Sequence, residues 1–231
     1  MTTKSDLMEL LNRLVREYPE GSLAFSTSFG KEDQAITHAI TSEHLPIRIF
    51  TLDTGRLFEE TYSVWNATIE RLGAAIETYT PDAKALQIFL SKNGPTSFYQ
   101  SVEHRLDCCH LRKVEPLQRA LQGAQVWITG LRAGQSANRA KLTMVERDEG
   151  HGVTKVHPLL HWIDAELDEY LATHNIPVNR LHAKGFPSIG CAPCTRAVKP
   201  GEDARAGRWW WENPNKKECG LHLKKGEKSD A

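Results

Sequence analysis

Three apolar stretches of this sequence pass directly into small or polar residues, and this pattern constrains the fold more than any other. The stretches read SLAFSTSFG, IRIFTLDTG and QVWITGLR, and amphipathic segments of helical spacing lie between them. Buried strands that alternate with helices are joined by right-handed crossovers and build a mainly parallel sheet. We therefore predict an α/β fold with helices on both faces of the sheet.

The same alternation continues to about residue 195. A helical stretch is predicted over roughly residues 82–122, with an interruption near residues 93–95. The other predicted helices and strands are MTTKSDLMELLNRLVREYPEG, KEDQAITHAITSEH, EETYSVWNATIERLG, AAIETYT, KLTMVERDE, GVTKVHPLL and HWIDAELDEYLATHN. After residue 195 the sequence has no clear period. We predict a main α/β domain over residues 1–200 and a flexible C-terminal segment over residues 201–231.

The strand ends indicate an anion-binding site. Ligands of parallel sheets bind at the carboxyl ends of the strands. The loop STSFGKED places hydroxyls and a glycine before a helix, where backbone N–H groups and the helix dipole attract anions, although it is not a GxxxxGK[ST] loop. Arginines follow in GLRAGQSANR and GEDARAGRWWW, and arginine binds phosphate or sulfate oxygens as a fork. The alternatives are that each strand end is merely a turn and that each arginine, taken singly, is a solvated surface side chain.

Charge and hydropathy exclude several classes of partner. The 231 residues include 29 Lys and Arg and 29 Asp and Glu, so the formal charge is zero. This balance argues against broad binding to nucleic acid or anionic membranes, but it leaves room for a local basic pocket. The N-terminal segment carries charges throughout, unlike a signal peptide, and no apolar run has the length of a membrane span. We predict a cytoplasmic protein that binds neither nucleic acid nor membrane.

The five cysteines cannot all pair into disulfides, because their number is odd. Cys108 and Cys109 are adjacent, Cys191 and Cys194 form CAPC, and Cys219 stands alone near the C-terminus. Cytoplasmic proteins rarely keep structural disulfides. The grouping therefore predicts a metal site made by four thiolates, together with one reactive thiol.

The metal is not decided by this spacing. Four-cysteine zinc sites are common, so the spacing alone favours tetrahedral zinc. The directly adjacent cysteine pair is unlike the two CxxC units of a zinc ribbon, and four soft sulfur ligands equally suit an iron–sulfur cluster. Four buried cysteines without a metal are the remaining alternative.

The motifs CCHLRKVEPL, CAPCTR, GEDARAGRWWW and KECGLH occur in this order, together with FSTSFGKED, TLDTGRLF and TGLRAGQSANR. In this combination the chain resembles the thioredoxin-dependent assimilatory adenylyl-sulfate reductases, relatives of the phosphoadenylyl-sulfate reductases. The resemblance extends from about residue 20 to residue 222. It implies a sheet of the adenine-nucleotide α-hydrolase type, with residues 1–200 forming the nucleotide-binding domain.

The resemblance also implies a cofactor and a set of site residues. It implies one 4Fe–4S cluster per chain in place of zinc, and a positive charge from Lys113 between the cluster and the substrate. The implied cluster ligands are Cys108, Cys109, Cys191 and Cys194. The other implied substrate contacts are Ser26, Ser28, Gly30, Leu52, Gly130, Arg139, Arg205 and Arg208.

The implied reaction reduces adenosine 5′-phosphosulfate to sulfite and AMP, as a step of sulfate assimilation towards cysteine. The Cys219 thiolate would attack the sulfur and form an S-sulfocysteine. Nearby His222 would favour the thiolate. Thioredoxin, or a glutaredoxin-like dithiol, would then release sulfite. A flexible C-terminal segment would let one thiol meet both the substrate and the reductant.

Other functions remain compatible with the sequence. The same reaction could use the 3′-phosphorylated nucleotide, or both nucleotides. A zinc-stabilised binding module is a more remote alternative, and an ATP-cleaving enzyme of the same fold would leave the motif KECGLH unexplained. The sequence is also compatible with assembly into a homo-oligomer.

Overall fold

The computed structural model describes residues 4–135 and 137–212. The strands are β1 (Leu23–Thr27), β2 (Arg48–Leu52), β3 (Ile76–Tyr79), β4 (Val126–Ile128), β5 (Val145–Asp148) and β6 (Val153–Val156). They form a six-stranded sheet in the order β3-β2-β1-β4-β6-β5. Adjacent strands are parallel, except that β5 runs antiparallel to β6. The predicted α/β fold with a mainly parallel sheet is confirmed.

The helices are α1 (Lys4–Glu17), α2 (Lys31–Ser42), α3 (Glu59–Leu72), α4 (Ala83–Asn93), α5 (Val102–Cys109), α6 (Glu115–Ala120) and α7 (Asp164–Thr173). The long predicted helical stretch is thus three helices. The Asp82 carboxylate caps the start of α4 by accepting the Ala85 N–H at 2.8 Å, and Gly94, with φ of 75°, ends this helix.

Alternate residues of the central strands face opposite layers of helices. On one face, Phe25 of β1 and Ile128 of β4 pack with the apolar sides of α1, α2 and α7. On the other face, Phe50 of β2 and Trp127 of β4 pack with Leu117 of α6. Because successive side chains of a strand point to opposite sides, a sheet covered on both faces needs apolar residues at consecutive positions.

The order of the strands reverses at β1. Phe25 pairs with Ile49 of β2 on one side and with Ile128 of β4 on the other. Where the strand order of an open parallel sheet reverses, the connecting loops diverge and leave a crevice at the carboxyl ends of the strands. The loops that follow β1, β2 and β4 therefore surround the expected ligand site.

The residues after Cys194 fold back onto the main body. The Arg196 N–H donates to the Gly207 carbonyl at 3.0 Å, and the Trp209 N–H donates to the Cys194 carbonyl at 3.1 Å. Backbone hydrogen bonds thus attach residues 201–212 to the main body. The domain boundary at residue 200 stays a prediction.

Cys219 and His222, the predicted nucleophile and its neighbour, lie outside the described residues. Among the helices that the structure describes, none is long and apolar enough to cross a membrane.

Candidate functional site

A cavity of about 380 Å³ lies at the carboxyl ends of β1, β2 and β4. This volume is in the range of small-molecule sites. The nine residues predicted to contact substrate all line it: Ser26, Ser28, Gly30, Leu52, Lys113, Gly130, Arg139, Arg205 and Arg208. The structure therefore brings together residues that are far apart in the sequence.

The loop after β1 is held by a carboxylate from its own helix. Both the backbone N–H and the hydroxyl of Ser28 donate to Asp33 Oδ2 at 2.7 Å. Between them, Phe29 has a φ of 61°, an uncommon conformation for a residue with a side chain. Sequence analysis assigned such N–H groups to an anionic ligand, and here the Ser28 N–H binds the chain's own Asp33 instead. The turn is internally fixed before any ligand arrives.

Asp33 carries an unusual carboxyl group. Its burial raises its pKa to about 6, even though the hydrogen bonds from Ser28 act in the opposite direction. Gly130 lies directly against it, because a Cβ at that position would overlap the Asp33 carboxylate. A glycine is needed at residue 130 for this close approach of the loops after β1 and β4.

Ser26 is also bonded internally. The Trp127 indole N–H donates to Ser26 Oγ at 2.8 Å, across the neighbouring strands β1 and β4. The Lys155 ammonium lies 4.6 Å from the centre of the Trp127 ring and 2.5 Å from Asp148 Oδ2. This chain of contacts from β5 to β1 fixes the Ser26 hydroxyl oxygen at the cavity wall.

Arg132 has its side chain committed to the protein. Its guanidinium contacts Glu32 at 2.8 Å and Asp164 at 2.5 Å, and it donates to the Trp162 carbonyl at 2.9 Å. Because these partners occupy three of its nitrogens, Arg132 joins α2, the loop after β4 and the start of α7. Its main role is to hold these elements together, and little of its positive charge is left for a ligand.

Positive charge gathers instead around Cys191. Burial alone would raise the pKa of this thiol, but Lys113, a hydrogen bond with Thr54 and Arg208 together lower it. The Arg208 guanidinium lies 4.8 Å from the centre of the Trp209 ring. Arginine and lysine side chains are typical ligands of phosphate groups, so this part of the cavity suits an anionic ligand.

Arg139 and Arg205 complete the predicted basic set, and both have contacts within their own loops. The Arg139 guanidinium contacts the Gln135 side-chain oxygen. The Arg205 backbone N–H donates to Asp203 Oδ1 at 2.8 Å. Both side chains line the cavity, so the predicted set is assembled at one site.

A second, smaller cavity contains the four paired cysteines. It is lined by Arg56, Phe98, Arg105, Cys108, Cys109, Arg112, Lys113, Cys191, Cys194 and Trp209. The four thiols are buried and form no disulfide. Burial raises the pKa of Cys194 to about 12, and the charges of the other three thiolates add to this rise. The four sulfurs therefore share one electrostatic environment.

Local helix geometry explains how four lining residues come from one short segment. Cys108 and Cys109 end α5, and a π-helical turn at His110–Val114 continues directly into α6. Arg112 and Lys113, on this turn, are placed four residues after the two cysteines. Widened turns of this kind are rare and occur often at functional sites.

The described side chains form no compact site for a single metal ion. Among residues 4–135 and 137–212, no three His, Cys, Asp or Glu side chains are close enough to hold one ion. The identity of the metal stays a prediction: the cysteine spacing alone favours zinc, and the family resemblance implies a 4Fe–4S cluster.

The donors around the cysteines also fit an anionic cluster. Within the described residues, the buried Arg112 Nε–H and Trp209 Nε1–H have no hydrogen-bond partner. Buried polar groups without partners are rare in folded proteins and point to a missing acceptor. Both residues line the cysteine cavity, so their N–H groups could bond to thiolate or sulfide sulfurs.

The two cavities share one wall. Lys113, Cys191 and Trp209 line both of them. Trp209 is fully buried in the apolar cluster with the cysteines and has a φ of 42°, a second uncommon backbone conformation at this site. Any group held by the four cysteines therefore lies beside a ligand in the larger cavity.

Comparison with known families agrees with this geometry. The profile of the family described as "Phosphoadenosine phosphosulfate reductase domain" matches residues 22–197, which is most of the chain. The chain belongs to this reductase family. The matched region contains β1 to β6 and all four paired cysteines of this family member.

Two curated relatives are similar over at least four fifths of their length. One is the adenosine 5′-phosphosulfate reductase of Allochromatium vinosum, 50% identical over 221 residues, which are 96% of this chain and 86% of that protein. Another is the adenosine 5′-phosphosulfate reductase of Agrobacterium fabrum, 51% identical over 209 residues, which are 90% of this chain and 80% of that protein.

Solved structures show the same fold. The phosphoadenylyl-sulfate reductase of Candida auris, in a phosphate complex, aligns with a TM-score of 0.71 and 27% identity over 83% of this chain and 90% of that one. An FMN adenylyltransferase of Candida glabrata aligns with a TM-score of 0.57 over 89% of this chain and 70% of that one. At 16% identity, the second match concerns the fold alone.

Sequence analysis of this reductase-family chain missed three contributors to the site. They are Asp33, which holds the β1 loop, Trp127, which bonds to Ser26, and Thr54, which the Cys191 thiol contacts at 3.4 Å. Asp33 lies within the quoted motif STSFGKED, so its acidic character at the start of a helix was an available signal. Trp127 gave no such signal, because its role depends on the pairing of β1 with β4.

Proposed function

We propose that this chain reduces adenosine 5′-phosphosulfate to sulfite and AMP, as a step of sulfate assimilation, with a thioredoxin-like dithiol as reductant. The observation that carries the proposal is the wall shared by the two cavities. It puts Lys113 and Cys191 beside the residues predicted to bind the nucleotide. The names of the relatives at about 50% identity support the same substrate.

The first step is transfer of the sulfonate group to a thiolate. The Cys219 thiolate attacks the sulfur of the phosphosulfate and forms an S–S bond. The bond from this sulfur to the bridging oxygen breaks, and AMP leaves with the bonding electron pair. Lys113, Arg205 and Arg208 neutralise the negative charge that develops on the leaving phosphate.

The second step is reduction by the partner. One thiolate of the dithiol attacks the Cys219 sulfur, and sulfite leaves with the electron pair of the S–S bond. The partner's second thiol then resolves the mixed disulfide and regenerates the Cys219 thiol. The sulfur of the substrate gains two electrons, and the dithiol loses two as it becomes a disulfide. The cytoplasm, where such dithiols are kept reduced, suits this chemistry.

Cys108, Cys109, Cys191 and Cys194 would hold one 4Fe–4S cluster. When bound, the cluster supplies a fixed anionic centre that braces the wall of the nucleotide cavity, while the electrons come from the dithiol. Lys113, which lines both cavities, would then lie between this centre and the substrate. Arg112 and Trp209, whose buried Nε–H and Nε1–H groups have no partner within the described residues, would supply hydrogen-bond donors to the cluster.

The test of this function is mass spectrometry of the purified protein after incubation with adenylyl sulfate alone. We expect a sulfonate adduct on Cys219 that a thioredoxin removes with release of sulfite. A Cys219→Ser variant should bind AMP normally and form no adduct. Sulfite release by that variant would overturn the proposed nucleophile.

The 3′-phosphorylated nucleotide is a second candidate substrate. The structural similarity to the Candida auris phosphoadenylyl-sulfate reductase favours it. Measurement of kcat/KM on both nucleotides decides between them, and we expect the value for adenylyl sulfate to be higher.

Metal analysis tests the cofactor. We expect about four irons per chain, a brown colour, and loss of both in a Cys194→Ser variant. One zinc per chain in colourless protein would support a zinc-stabilised module instead.

A further inference from the structure

A buried ion pair joins the cysteine-bearing helix to the end of the described chain. Arg105 Nε donates to Glu212 Oε1, and Arg105 Nη2 donates to Glu212 Oε2, both at 2.9 Å. Only 1% of the Arg105 side chain and 4% of the Glu212 side chain are exposed. A bidentate pair of this kind fixes the direction of both side chains as well as their separation.

The pair belongs to the wall of the cysteine cavity. Arg105 lies on α5, one turn before Cys108 and Cys109, and its guanidinium is 4.8 Å from the centre of the Trp209 ring. The Glu212 N–H donates to the Trp209 carbonyl at 2.9 Å. Residue 212 is thus held from its side chain and from its backbone, at a wall that also faces the nucleotide cavity.

The place where residue 212 is held limits the reach of the predicted nucleophile. Cys219 follows Glu212 by seven residues. Seven residues span at most about 25 Å even when fully extended. Attack also requires reacting atoms about 3–3.5 Å apart, and a displacement of about 1 Å can cost about 100-fold in rate.

We propose that Arg105 and Glu212 are a positioning pair. The pair fixes the point from which the chain carries Cys219 to the site of sulfonate transfer. This inference rests on the proposed function of Cys219. Buried ion pairs can often be replaced by apolar residues with little loss of stability. Stability alone therefore does not require this pair. Its position, between the cysteine-bearing helix and the residue from which the chain continues to Cys219, favours a positioning role instead.

The test compares Glu212→Gln with Glu202→Gln. Glu202 pairs with Arg196 at 2.9 Å in the same part of the chain, but this pair is partly exposed and lines neither cavity. We measure AMP affinity, visible absorption and the single-turnover rate of adduct formation on Cys219 at saturating adenylyl sulfate. For Glu212→Gln we expect AMP affinity within about twofold of wild type, unchanged absorption, and adduct formation slowed by about 10- to 100-fold. Glu202→Gln should match wild type in all three.

A second variant keeps the test decisive if Glu212→Gln fails to fold. The double variant Arg105→Leu, Glu212→Ala removes both charges, so no unpaired buried ion is left, and it should show the same slow adduct formation. Adduct formation at the wild-type rate in either folded variant would overturn the positioning role. Parallel loss of AMP binding and adduct formation would overturn it too, in favour of a purely structural role. Absence of the adduct in wild type would instead overturn the proposed function.

Discussion

Asp33 accepts two hydrogen bonds from Ser28, one from the backbone N–H and one from the hydroxyl, both at 2.7 Å. The first turn of α2 thereby holds the loop that leaves β1. The carboxylate is buried, and this burial raises its pKa from 3.8 to about 6. A buried acid with a raised pKa has a measurable consequence for stability.

We expect Asp33→Asn to change the pH dependence of the free energy of unfolding. Between about pH 4 and pH 6 the folded wild type binds a proton at Asp33 more tightly than the unfolded chain does. This group therefore stabilises the fold at low pH, and that stability is lost as the pH rises through about 6. Since Asn does not titrate, the stability of the variant relative to wild type should rise by up to about 3 kcal/mol from pH 4 to pH 7. Urea unfolding at several pH values measures it, and parallel curves for the two proteins would contradict it.

Trp127→Phe should weaken the site by releasing Ser26. The variant loses the 2.8 Å hydrogen bond to Ser26 Oγ and part of the interaction with Lys155. We expect a loss of about 1–2 kcal/mol in stability and a several-fold rise in the Kd of AMP. Trp65→Phe is the matched control, because within the described residues the buried Trp65 indole N–H has no hydrogen-bond partner. Equal effects of the two substitutions would show that ring volume, and not the Ser26 contact, matters.

Gly130→Ala should disrupt the contact between the loops after β1 and β4. The added methyl group would overlap the Asp33 carboxylate. Because Asp33 belongs to the packed helix α2, its carboxylate cannot easily shift. We expect about 1–3 kcal/mol of destabilisation and a clear loss of AMP affinity. A Cβ at Gly134 meets no atom within 4 Å, so Gly134→Ala should leave the melting temperature nearly unchanged. Thermal unfolding and AMP titration test both, and a fully stable Gly130→Ala would refute the close approach.

Arg132→Leu should be strongly destabilising. It removes the partner of Glu32 and Asp164 and leaves the Trp162 carbonyl without its donor. Breaking a buried pair by removing one member leaves an uncompensated charge, and we expect a cost of about 3 kcal/mol. The corresponding exposed arginine is Arg13, which lies 3.9 Å from Glu17, and Arg13→Leu should change stability by no more than about 0.5 kcal/mol. Chemical denaturation of both variants gives the comparison.

Lys113→Ala should slow the transfer of the sulfonate group to Cys219 and leave the metal content unchanged. Lys113 lines both cavities and lowers the pKa of Cys191, so its charge acts at the shared wall. We expect adduct formation on Cys219 to slow by about 100-fold, with partial recovery in Lys113→Arg. Iron content measured beside the single-turnover rate separates the effects. Wild-type rates in Lys113→Ala with full iron would exclude an electrostatic role.

The sheet, and the grouping of the predicted substrate residues around one cavity, were predictable from the sequence, because local signals specify them. The apolar run SLAF and the small residues after it mark both β1 and its position at the ligand edge. The paired cysteines likewise indicated a four-thiolate site. Such signals are read within one segment of the chain.

Contacts between distant segments were not predictable in the same way. Arg132 is one of the arginines of the motif GLRAGQSANR, which were candidates for anion binding, but Glu32 and Asp164 bind its guanidinium because α2 and α7 meet beside it. The helical stretch predicted over residues 82–122 likewise did not include the π-helical turn at His110–Val114. Partner choice at such positions depends on tertiary structure.

The central position of β1 in the sheet also affects the nascent chain during synthesis. One edge of β1 pairs with β2, but the other waits for β4, which begins about 100 residues further along. At about 5–20 residues per second, the ribosome needs about 5–20 seconds to make that strand. During this interval an apolar strand has an open hydrogen-bonding edge, which is the feature that recruits other chains into aggregates. During synthesis, β1 therefore passes through a period in which the protein's own fold does not yet cover its unpaired edge.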